Sequence, residues 1–348
     1  MIAEIRLQQY RSYLDEAFKL SPGLNVVVGP NASGKTNLLE SLLVICKGGS
    51  FRAPDSELIM HNKEWARIDS NTDQGQRSLK LSHTSKEFTI NNKPYKRLSS
   101  SLQIPVVLFE PNHLLMLSGS PELRRNYLDG ILDYIRPGYK KIRTDYLKTL
   151  RQRNALLKSG RANMNELFPW NVRLSHLGGI IATQRVELIN ELNEPITDAY
   201  RRVSDGKEQI LLKYKPSADL NTYESQLINK LEQAMDLDLI RGFTSYGPHR
   251  EDMEVLINKK SPLQAASRGE ARTIVLSLKT IEAKIIRRKL DKKPIILLDD
   301  IFSELDNSRK DKLTSLLSNS QVIITSTNSN NPLKTKQNTN VIKTHKRA

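Results

Sequence analysis

One stretch of eight residues restricts the fold of this chain more than any other: Gly29-Pro30-Asn31-Ala32-Ser33-Gly34-Lys35-Thr36. A glycine stands at each end of a turn and Lys-Thr follows directly, which is the spacing of a phosphate-binding P-loop. The β-branched run 25–28 before it predicts a buried strand, and the apolar spacing of 37–43 after it predicts a helix. Strand, loop and helix therefore come in the order that such a loop requires. The alternative is a glycine-rich turn that only shares this spacing.

The P-loop interpretation gives each residue type a chemical task. Backbone N–H groups at a helix N-terminus point at the phosphates, where the helix dipole also favours negative charge. The two glycines permit this backbone path, Lys35 can reach the β and γ phosphates of ATP, and the Thr36 hydroxyl can hold Mg²⁺. Lys35 is also a predicted catalytic residue. The predicted nucleotide contacts of this region are Gly29, Pro30, Asn31, Ala32, Ser33, Gly34, Lys35, Thr36 and Asn37.

A second run predicts the other side of an ATP site. Residues 294–298, Pro-Ile-Ile-Leu-Leu, have a buried-strand pattern that ends in the carboxylates Asp299 and Asp300. In a P-loop ATPase such acids emerge beside the γ phosphate, so Asp299 fits a Mg²⁺ ligand and Asp300 would orient or deprotonate the attacking water. Related ATPases more often carry Glu at the second position, and the shorter Asp300 predicts slow hydrolysis. The alternative is an acidic turn at the end of a strand.

A second anion-binding element is predicted at 267–270, Ser-Arg-Gly-Glu, directly before the helix-compatible stretch 271–290. A serine hydroxyl and exposed N–H groups at a helix start bind anions, yet one nucleotide does not need two such elements from one subunit. Head-to-tail dimers of ATP-binding cassettes explain the pair, because the P-loop of one subunit and the serine-glycine signature of the other enclose the same ATP. Ser267 and Gly269 of a second copy are therefore predicted nucleotide contacts.

Two further stretches follow the carboxylate strand. Asp306 belongs to the run Ser-Glu-Leu-Asp at 303–306, where cassettes place a loop that crosses the dimer interface, although alone this run is only a helix cap. A last strand pattern, 321–324, ends in Thr325-Ser326-Thr327, where many cassettes carry a switch histidine. The hydroxyls found there leave open a protein that binds ATP without hydrolysing it.

The chain carries a large excess of positive charge. Lys and Arg number 54 against 38 Asp and Glu, and the net +16 favours a polyanionic partner, with nucleic acid the first candidate. The helical stretch 118–160 contains ten basic residues and four acids and is a candidate surface for such a partner. For this stretch and for the whole chain, the alternative is an ordinary solvated surface. With 6% aromatic residues, recognition of the DNA backbone and of junction shape is expected rather than base stacking.

Composition also predicts where the protein works. The single cysteine, Cys46, excludes a disulfide framework, and the longest apolar runs are too short to span a bilayer. We therefore expect a cytoplasmic, nucleoid-associated protein without a membrane partner.

Changes of pattern along the chain predict four parts. Strand-like pieces in 1–118 indicate the first part of an ATPase lobe, and helical periodicity in 119–243 indicates a helical lobe. Residues 244–330 return to α/β character and carry the signature, the carboxylate strand and the interface loop. The basic tail 331–348 has little to bury and is expected to be mobile.

Together these motifs resemble the RecF family of bacterial DNA repair proteins, which is related to the structural-maintenance-of-chromosomes (SMC) ATPases. The most specific motifs are Gly247-Pro248-His249-Arg250 and Leu-Leu-Asp-Asp-Ile-Phe-Ser-Glu-Leu-Asp at 297–306. The resemblance also rests on shorter motifs: the P-loop region 29–42, Gly49-Ser50-Phe51-Arg52, Gly119-Ser120-Pro121, Arg124-Arg125, Leu128-Asp129, and Gln152-Arg153-Asn154 with Leu156-Leu157-Lys158.

The resemblance implies an α/β fold, an ATP-binding-cassette P-loop ATPase like an SMC head, with a mainly helical second lobe and without the long coiled coil. It implies ATP and Mg²⁺ as cofactors, a homodimer when ATP is bound, and binding to duplex DNA and to single-strand/double-strand junctions at gaps. It also implies cooperation with RecR and RecO in loading recombinase. Slow, DNA-stimulated hydrolysis would then control release rather than drive a motor.

Some residues depart from the family pattern or leave alternatives open. The family's signature is usually Ser-Gln-Gly-Gln, whereas Ser-Arg-Gly-Glu stands here at 267–270, and Glu251 replaces an Asp after His-Arg. His249 fits a structural role and a nucleotide or DNA role equally. Arg11 either approaches the phosphates or is an ordinary surface residue. Three other functions are alternatives: a DNA clamp that binds ATP with little hydrolysis, a P-loop kinase of small molecules, and a transport cassette. The kinase and the transport cassette fit the net charge of +16 and the serine-glycine signature poorly.

Overall fold

The computed structural model describes residues 1–160, 162–204, 206–262, 266–300, 307–317, 319–327 and 339–345. The chain divides into two compact units, which we call the sheet unit (Met1–Asn112 with Glu282–Ala348) and the helical unit (His113–Ile281). Among the described residues, no helix combines the length and apolar character that crossing a bilayer requires.

The regular elements follow the chain in this order. The strands are β1 (Ile2–Tyr10), β2 (Tyr13–Lys19), β3 (Leu24–Val28), β4 (Trp65–Thr72), β5 (Gly75–Ser82), β6 (Lys86–Ile90), β7 (Lys93–Tyr95), β8 (Val106–Phe109), β9 (Ile210–Lys215), β10 (Asp252–Ile257), β11 (Ile295–Leu298), β12 (Val322–Ser326) and β13 (Asn340–Lys343). The α-helices are α1 (Lys35–Lys47), α2 (Leu115–Ser118), α3 (Pro121–Ile135), α4 (Tyr139–Lys158), α5 (Met164–Ser204), α6 (Tyr223–Gln233), α7 (Met235–Arg241), α8 (Arg268–Leu290) and α9 (Asn307–Leu317).

The sheet unit contains a five-stranded sheet in the order β13-β3-β12-β11-β8, whose neighbouring strands pair in parallel. The side chains of β11 and β12 are buried along their whole length, as expected for parallel strands covered on both faces. The predicted strand before the P-loop is confirmed as β3, which lies between β13 and β12. In a parallel sheet the carboxyl ends of β3, β11 and β12 reach one edge, and this edge carries the predicted ATP residues.

A six-stranded antiparallel sheet, in the order β2-β1-β4-β5-β6-β7, forms the other layer of this unit. Helix α1 lies between the two sheets, since one apolar core joins Ile5 of β1, Leu38 and Leu42 of α1, and Leu297 of β11. The helix ends at Gly48, which has a φ of 93° and donates its N–H to the carbonyl of Val44. Both layers hold α1, and hence the loop before it, in a fixed place.

The helical unit is built around the long helices α4 and α5. Two buried arginines of this unit are paired: Arg153 donates to Asp238 and Thr244 at 2.8 Å each, and Arg185 donates to both carboxylate oxygens of Asp129 at 2.9 Å. Losing one partner of such a buried pair costs about 3–5 kcal/mol, because the other charge is left without compensation. These pairs fix the packing of the helices.

The division between the units differs from the predicted ranges. Residues 244–281, which the sequence pattern assigned to the ATPase part, group with the helical unit. The cause is β10, which pairs antiparallel with β9 from Asp252↔Lys215 to Ile257↔Ile210. The described part of α8 up to Ile281 belongs to the same unit.

The expectation of a mobile tail over 331–348 is wrong for 340–343, which form β13. Val341 and Ile342 pair in parallel with Val26 and Val27 of β3, and Ile342 is buried in the core. A strand of four residues is too short to show a period in the sequence.

Candidate nucleotide-binding site

The P-loop adopts the backbone path that its glycines predict. Gly34 has a φ of 91° and Ala32 a φ of 63°, both in the left-handed region. Gly34 precedes the first residue of α1, and its carbonyl accepts the N–H of Leu38 at 3.0 Å. Gly29 has no room for a Cβ atom, because Ser33 and Thr344 crowd its α-carbon. The loop thus begins α1 in the way a phosphate-binding turn requires.

Lys35 is buried at 8% exposure and folds back over the loop. Its Nζ donates to the carbonyl oxygens of Gly29 at 2.9 Å and Pro30 at 2.8 Å. Burial lowers the pKa of Lys35, and the carboxylates of Asp300 and Asp299 act in the opposite direction. A phosphate offers this ammonium stronger acceptors than two neutral carbonyls do.

Thr36 and Asp299 meet, as the two motifs predict. The Thr36 Oγ1 donates to the carboxylate of Asp299, at 3.1 Å from Oδ1 and 3.0 Å from Oδ2. A third oxygen joins them, since the buried Thr325 donates its Oγ1 proton to Asp299 Oδ1 at 2.8 Å. Oxygen donors of this kind suit Mg²⁺, which takes one or two protein ligands, waters and substrate phosphates. The residues therefore fit the predicted metal, and within the described part of the chain no cluster of three or more His, Cys, Asp or Glu offers another metal site.

Asp300 stands beside this group in an unusual backbone conformation. Its φ is 47°, and its N–H donates to the Thr325 Oγ1 at 2.8 Å. Thr325 therefore bridges the two acids, accepting from the backbone of Asp300 and donating to the side chain of Asp299. The Asp300 side chain is exposed, whereas Asp299 is buried at 7% exposure. Asp300 is thus the carboxylate that water can reach.

A buried carboxylate that the sequence pattern did not single out organises the flank of the P-loop helix. The Glu40 side chain is fully buried and accepts two hydrogen bonds from Arg11, both at 2.9 Å, and two from Arg52, at 3.1 and 3.0 Å. Burial alone would raise its pKa, but these bonds and one from Ser50 lower the pKa of Glu40 to about 2. An acid inside the apolar run 38–45 was the available signal, because such a position demands a partner.

This carboxylate connects to the P-loop residues through polar side chains. Arg52 also donates to Asn37 Oδ1 at 2.5 Å, and Asn37 donates to the Ser12 Oγ at 2.9 Å. Arg11, only 19% exposed, is therefore not an ordinary surface arginine. A cavity of about 960 Å³ opens beside Arg11, Arg52 and Asn37.

The serine-glycine signature lies in the helical unit as a capped helix start. Ser267 donates its N–H to Glu270 Oε2 at 2.6 Å, and its Oγ accepts the Glu270 N–H at 3.3 Å, which is a capping box. The carbonyl of Gly269 accepts the Thr273 hydroxyl at 2.9 Å. Glu270, a departure from the family pattern, thus places a negative charge at this helix start. The predicted interface residue Asp306 lies outside the described residues.

His249 takes a structural role. Its Nε2 donates to the Thr244 carbonyl at 3.0 Å, so its Nδ1 accepts the Tyr146 hydroxyl at 2.7 Å. Burial lowers the pKa of His249 to about 4, which keeps the ring neutral at pH 7. Both ring nitrogens are engaged, and neither is left for a ligand.

Comparison with known proteins agrees with this geometry. The family model described as RecF/RecN/SMC N terminal domain matches residues 1–348. The chain belongs to this family. It is 33% identical over 342 residues to the DNA replication and repair protein RecF of Acetivibrio thermocellus, covering 94% of this chain and 93% of that protein. The RecF of Bacillus cytotoxicus is 34% identical over 343 residues, covering 94% and 91%.

Solved structures give the same result. The recombination mediator protein RecF-ATP in the RecFOR pathway has a TM-score of 0.86 and 28% identity, covering 95% of this chain and 92% of that chain. An Smc head bound to the C-winged helix domain of ScpA has a TM-score of 0.56 at 15% identity, covering 94% and 90%, and shares the fold. The predicted fold class, an α/β ATPase head like that of SMC proteins, is confirmed.

Proposed function

We propose that this protein is a DNA-binding ATPase of recombinational repair that dimerises when it binds ATP. The observation that carries the proposal is the contact of Thr36 with Asp299 beside the P-loop, in a chain that matches the RecF/RecN/SMC family over its whole length. The relatives are named as DNA replication and repair proteins, and a similar solved structure is named as RecF with ATP. The net charge of +16 fits a nucleic acid partner.

The described residues divide the chemistry among them. The P-loop N–H groups and Lys35 hold the triphosphate, and Lys35 exchanges its two carbonyl partners for phosphate oxygens. Thr36 and Asp299 would hold Mg²⁺, which would supply positive charge to offset the negative charge of the phosphates. Asp300 orients the attacking water and accepts its proton, while Thr325 holds the backbone of Asp300 in place.

A second copy of the chain completes the site. Ser267 and Gly269 of that copy approach the γ phosphate, with Asp306 in the loop between the subunits. ATP shared between two subunits stabilises only the dimer, so binding drives assembly and hydrolysis releases it. The short Asp300 makes hydrolysis slow, and DNA stimulates it. The dimer binds duplex and gapped DNA and aids recombinase loading with RecO and RecR, in line with the RecFOR pathway named for the similar structure.

Sedimentation velocity tests this proposal with ATP, ADP or no nucleotide, each with and without a gapped duplex. The expected result is a dimer with ATP alone and a larger complex when DNA is added. Lys35→Arg is expected to remain a monomer under all conditions. A wild-type protein that stays monomeric with ATP and gapped duplex would refute the shared site.

A second candidate is a DNA clamp or scaffold that binds ATP with little hydrolysis. Two observations favour it: Asp300 is shorter than the usual Glu, and the hydroxyl of Thr325 is already committed to Asp299. Single-turnover measurement with radiolabelled ATP separates the candidates. Turnover that DNA accelerates supports the ATPase, and ATP that stays intact in a stable DNA-bound dimer supports the clamp.

A further inference from the structure

Helix α4 has the largest excess of positive charge among the described helices, followed by α8, which contains seven lysines and arginines and two acids. Helix α4 contains seven lysines and arginines and one acid, Asp145. In contrast, α5 contains four basic residues and five acids, and α6 and α7 each contain more acids than basic residues. A surface that is only solvated needs no such segregation between neighbouring helices.

Most of these cations are on the solvent side of α4. Its opposite side packs inward through Tyr146, Leu150 and Leu157. Arg153 also lies on this buried side, where it forms an ion pair with Asp238. Arg143 pairs with Asp133 at 2.6 Å. The cations that remain exposed are Lys140, Lys141, Lys148, Arg151 and Lys158.

Helical spacing arranges the exposed cations in two rows. Lys140, Arg151 and Lys158 are separated by 11 and 7 residues, about three and two turns, so they lie in line. Lys141 and Lys148, two turns apart, form a second row beside them. The exposed positions between the rows are held by Thr144 and Ala155, and the described α4 places no acid there. We call these five cations the α4 basic face.

The segment after α7 continues this surface. Gly242 packs against the stem of Lys158, with 3.1 Å between Lys158 Cγ and the position a Cβ would take. The neighbouring Arg241 and Arg250 are exposed, and the Arg250 guanidinium lies over the ring of Phe243 at 4.6 Å from its centroid. At this distance the face of the ring attracts the guanidinium. The basic surface is therefore wider than α4 alone.

We propose that the α4 basic face binds the phosphate backbone of duplex DNA, a proposal that rests on the DNA-binding function above. The length from Lys140 to Lys158 is about 27 Å at 1.5 Å per residue. Phosphates of one strand repeat every 3.4 Å along the duplex axis, so the length of the face corresponds to about eight base pairs of duplex. The rows carry no aromatic side chain for base stacking, which favours a duplex backbone over unpaired bases.

Duplex binding by two matched triple variants tests the proposal. Lys140→Gln, Arg151→Gln and Lys158→Gln remove one row of the face. Lys93→Gln, Lys96→Gln and Arg97→Gln remove the same charges from exposed positions at β7 in the sheet unit. Each phosphate contact contributes about −0.9 to the slope of log K, where K is the association constant for DNA, against log salt concentration. Removal of three contacts is therefore expected to make the slope of the first variant shallower by about 2.7. Its affinity for duplex should be about 100-fold lower than that of wild type near 0.15 M salt.

The outcomes separate the two proposals. The control variant is expected to bind within about 3-fold of wild type. Both variants should bind a fluorescent ATP analogue like wild type, which shows that the sheet unit folds, and both should keep the wild-type urea midpoint of Trp170 fluorescence, which shows that the helical unit folds. If the α4 variant keeps the affinity and salt slope of its control, the α4 assignment is overturned although DNA binding stands. If wild-type protein with ATP binds no duplex at any salt concentration, the proposed function and this surface both fail.

Discussion

Replacing Glu40 by Gln tests whether this buried carboxylate anchors the flank of the P-loop helix. The pKa of Glu40 falls from its ordinary 4.5 to about 2 in the folded chain. At about 1.36 kcal/mol per pKa unit, ionised Glu40 contributes about 3 kcal/mol of stability at pH 7. Glu40→Gln keeps the shape of the side chain and removes the charge that Arg11 and Arg52 share. We therefore expect the sheet unit to lose about 3 kcal/mol at neutral pH.

The pH dependence gives the sharper signature of the same charge. Because the folded pKa is depressed, the contribution is complete above pH 4.5 and is lost as pH falls towards about 2. The difference between wild type and Glu40→Gln should therefore shrink from about 3 kcal/mol at pH 7 to about 1 kcal/mol at pH 3. A merely steric effect of the amide would not change with pH in this range.

Urea unfolding followed by tryptophan fluorescence measures this difference in one unit. The chain has two tryptophans, Trp65 in β4 and Trp170 in α5, so a Trp170→Phe background reports the sheet unit alone. Glu87→Gln, an exposed change in β6, is the control and should stay within about 0.5 kcal/mol of its parent. A loss below about 1 kcal/mol at pH 7, or a loss that is equal at pH 7 and pH 3, would refute the reasoning.

Three further predictions concern the rest of the molecule. Asp300→Asn should slow ATP hydrolysis about 100-fold or more and trap the ATP-bound dimer on DNA, and normal hydrolysis by this variant would disprove the role given to Asp300. Glu270→Gln removes the negative charge from the start of α8 and should tighten ATP-dependent self-association about 2- to 5-fold in sedimentation equilibrium, whereas weaker association would show that the capping box matters more. Burial lowers the pKa of His249 to about 4, so this histidine binds more protons in the unfolded chain than in the folded one. The free energy of unfolding of the helical unit should therefore fall as pH falls from about 6.5 to 4. In His249→Asn this part of the pH dependence should disappear when urea unfolding is followed by Trp170 fluorescence.

The sequence predicted the parts of the fold that depend on local pattern. The P-loop, its strand and its helix are short, continuous and chemically distinctive, and the structure has β3 and α1 at these positions. The run before Asp299 was equally clear, because a fully apolar strand that ends in two acids is typical of the second half of a P-loop ATPase site. The meeting of Thr36 and Asp299, 263 residues apart, followed from the family pattern of the two motifs.

The missed features depend on partners that are distant along the chain. Glu40 is informative only once Arg11 and Arg52 are known to converge on it from separate loops. Thr325 was noted as a hydroxyl, but its bridge between Asp299 and the backbone of Asp300 requires two neighbouring parallel strands in register. β13 has too few residues for a pattern, and its strand character comes from pairing with β3.

The position of β3 in the parallel sheet has a consequence for protein synthesis. Leu24 of β3 pairs with Val322 of its neighbour β12, so β3 leaves the ribosome about 300 residues before that strand. At about 5–20 residues per second this interval lasts about 15–60 s. The helical unit, a continuous segment, is translated completely within this interval. Both edges of the P-loop strand therefore remain unpaired while the helical unit folds. Nascent chains of this family are expected to bind chaperones at β3 and α1 during that time.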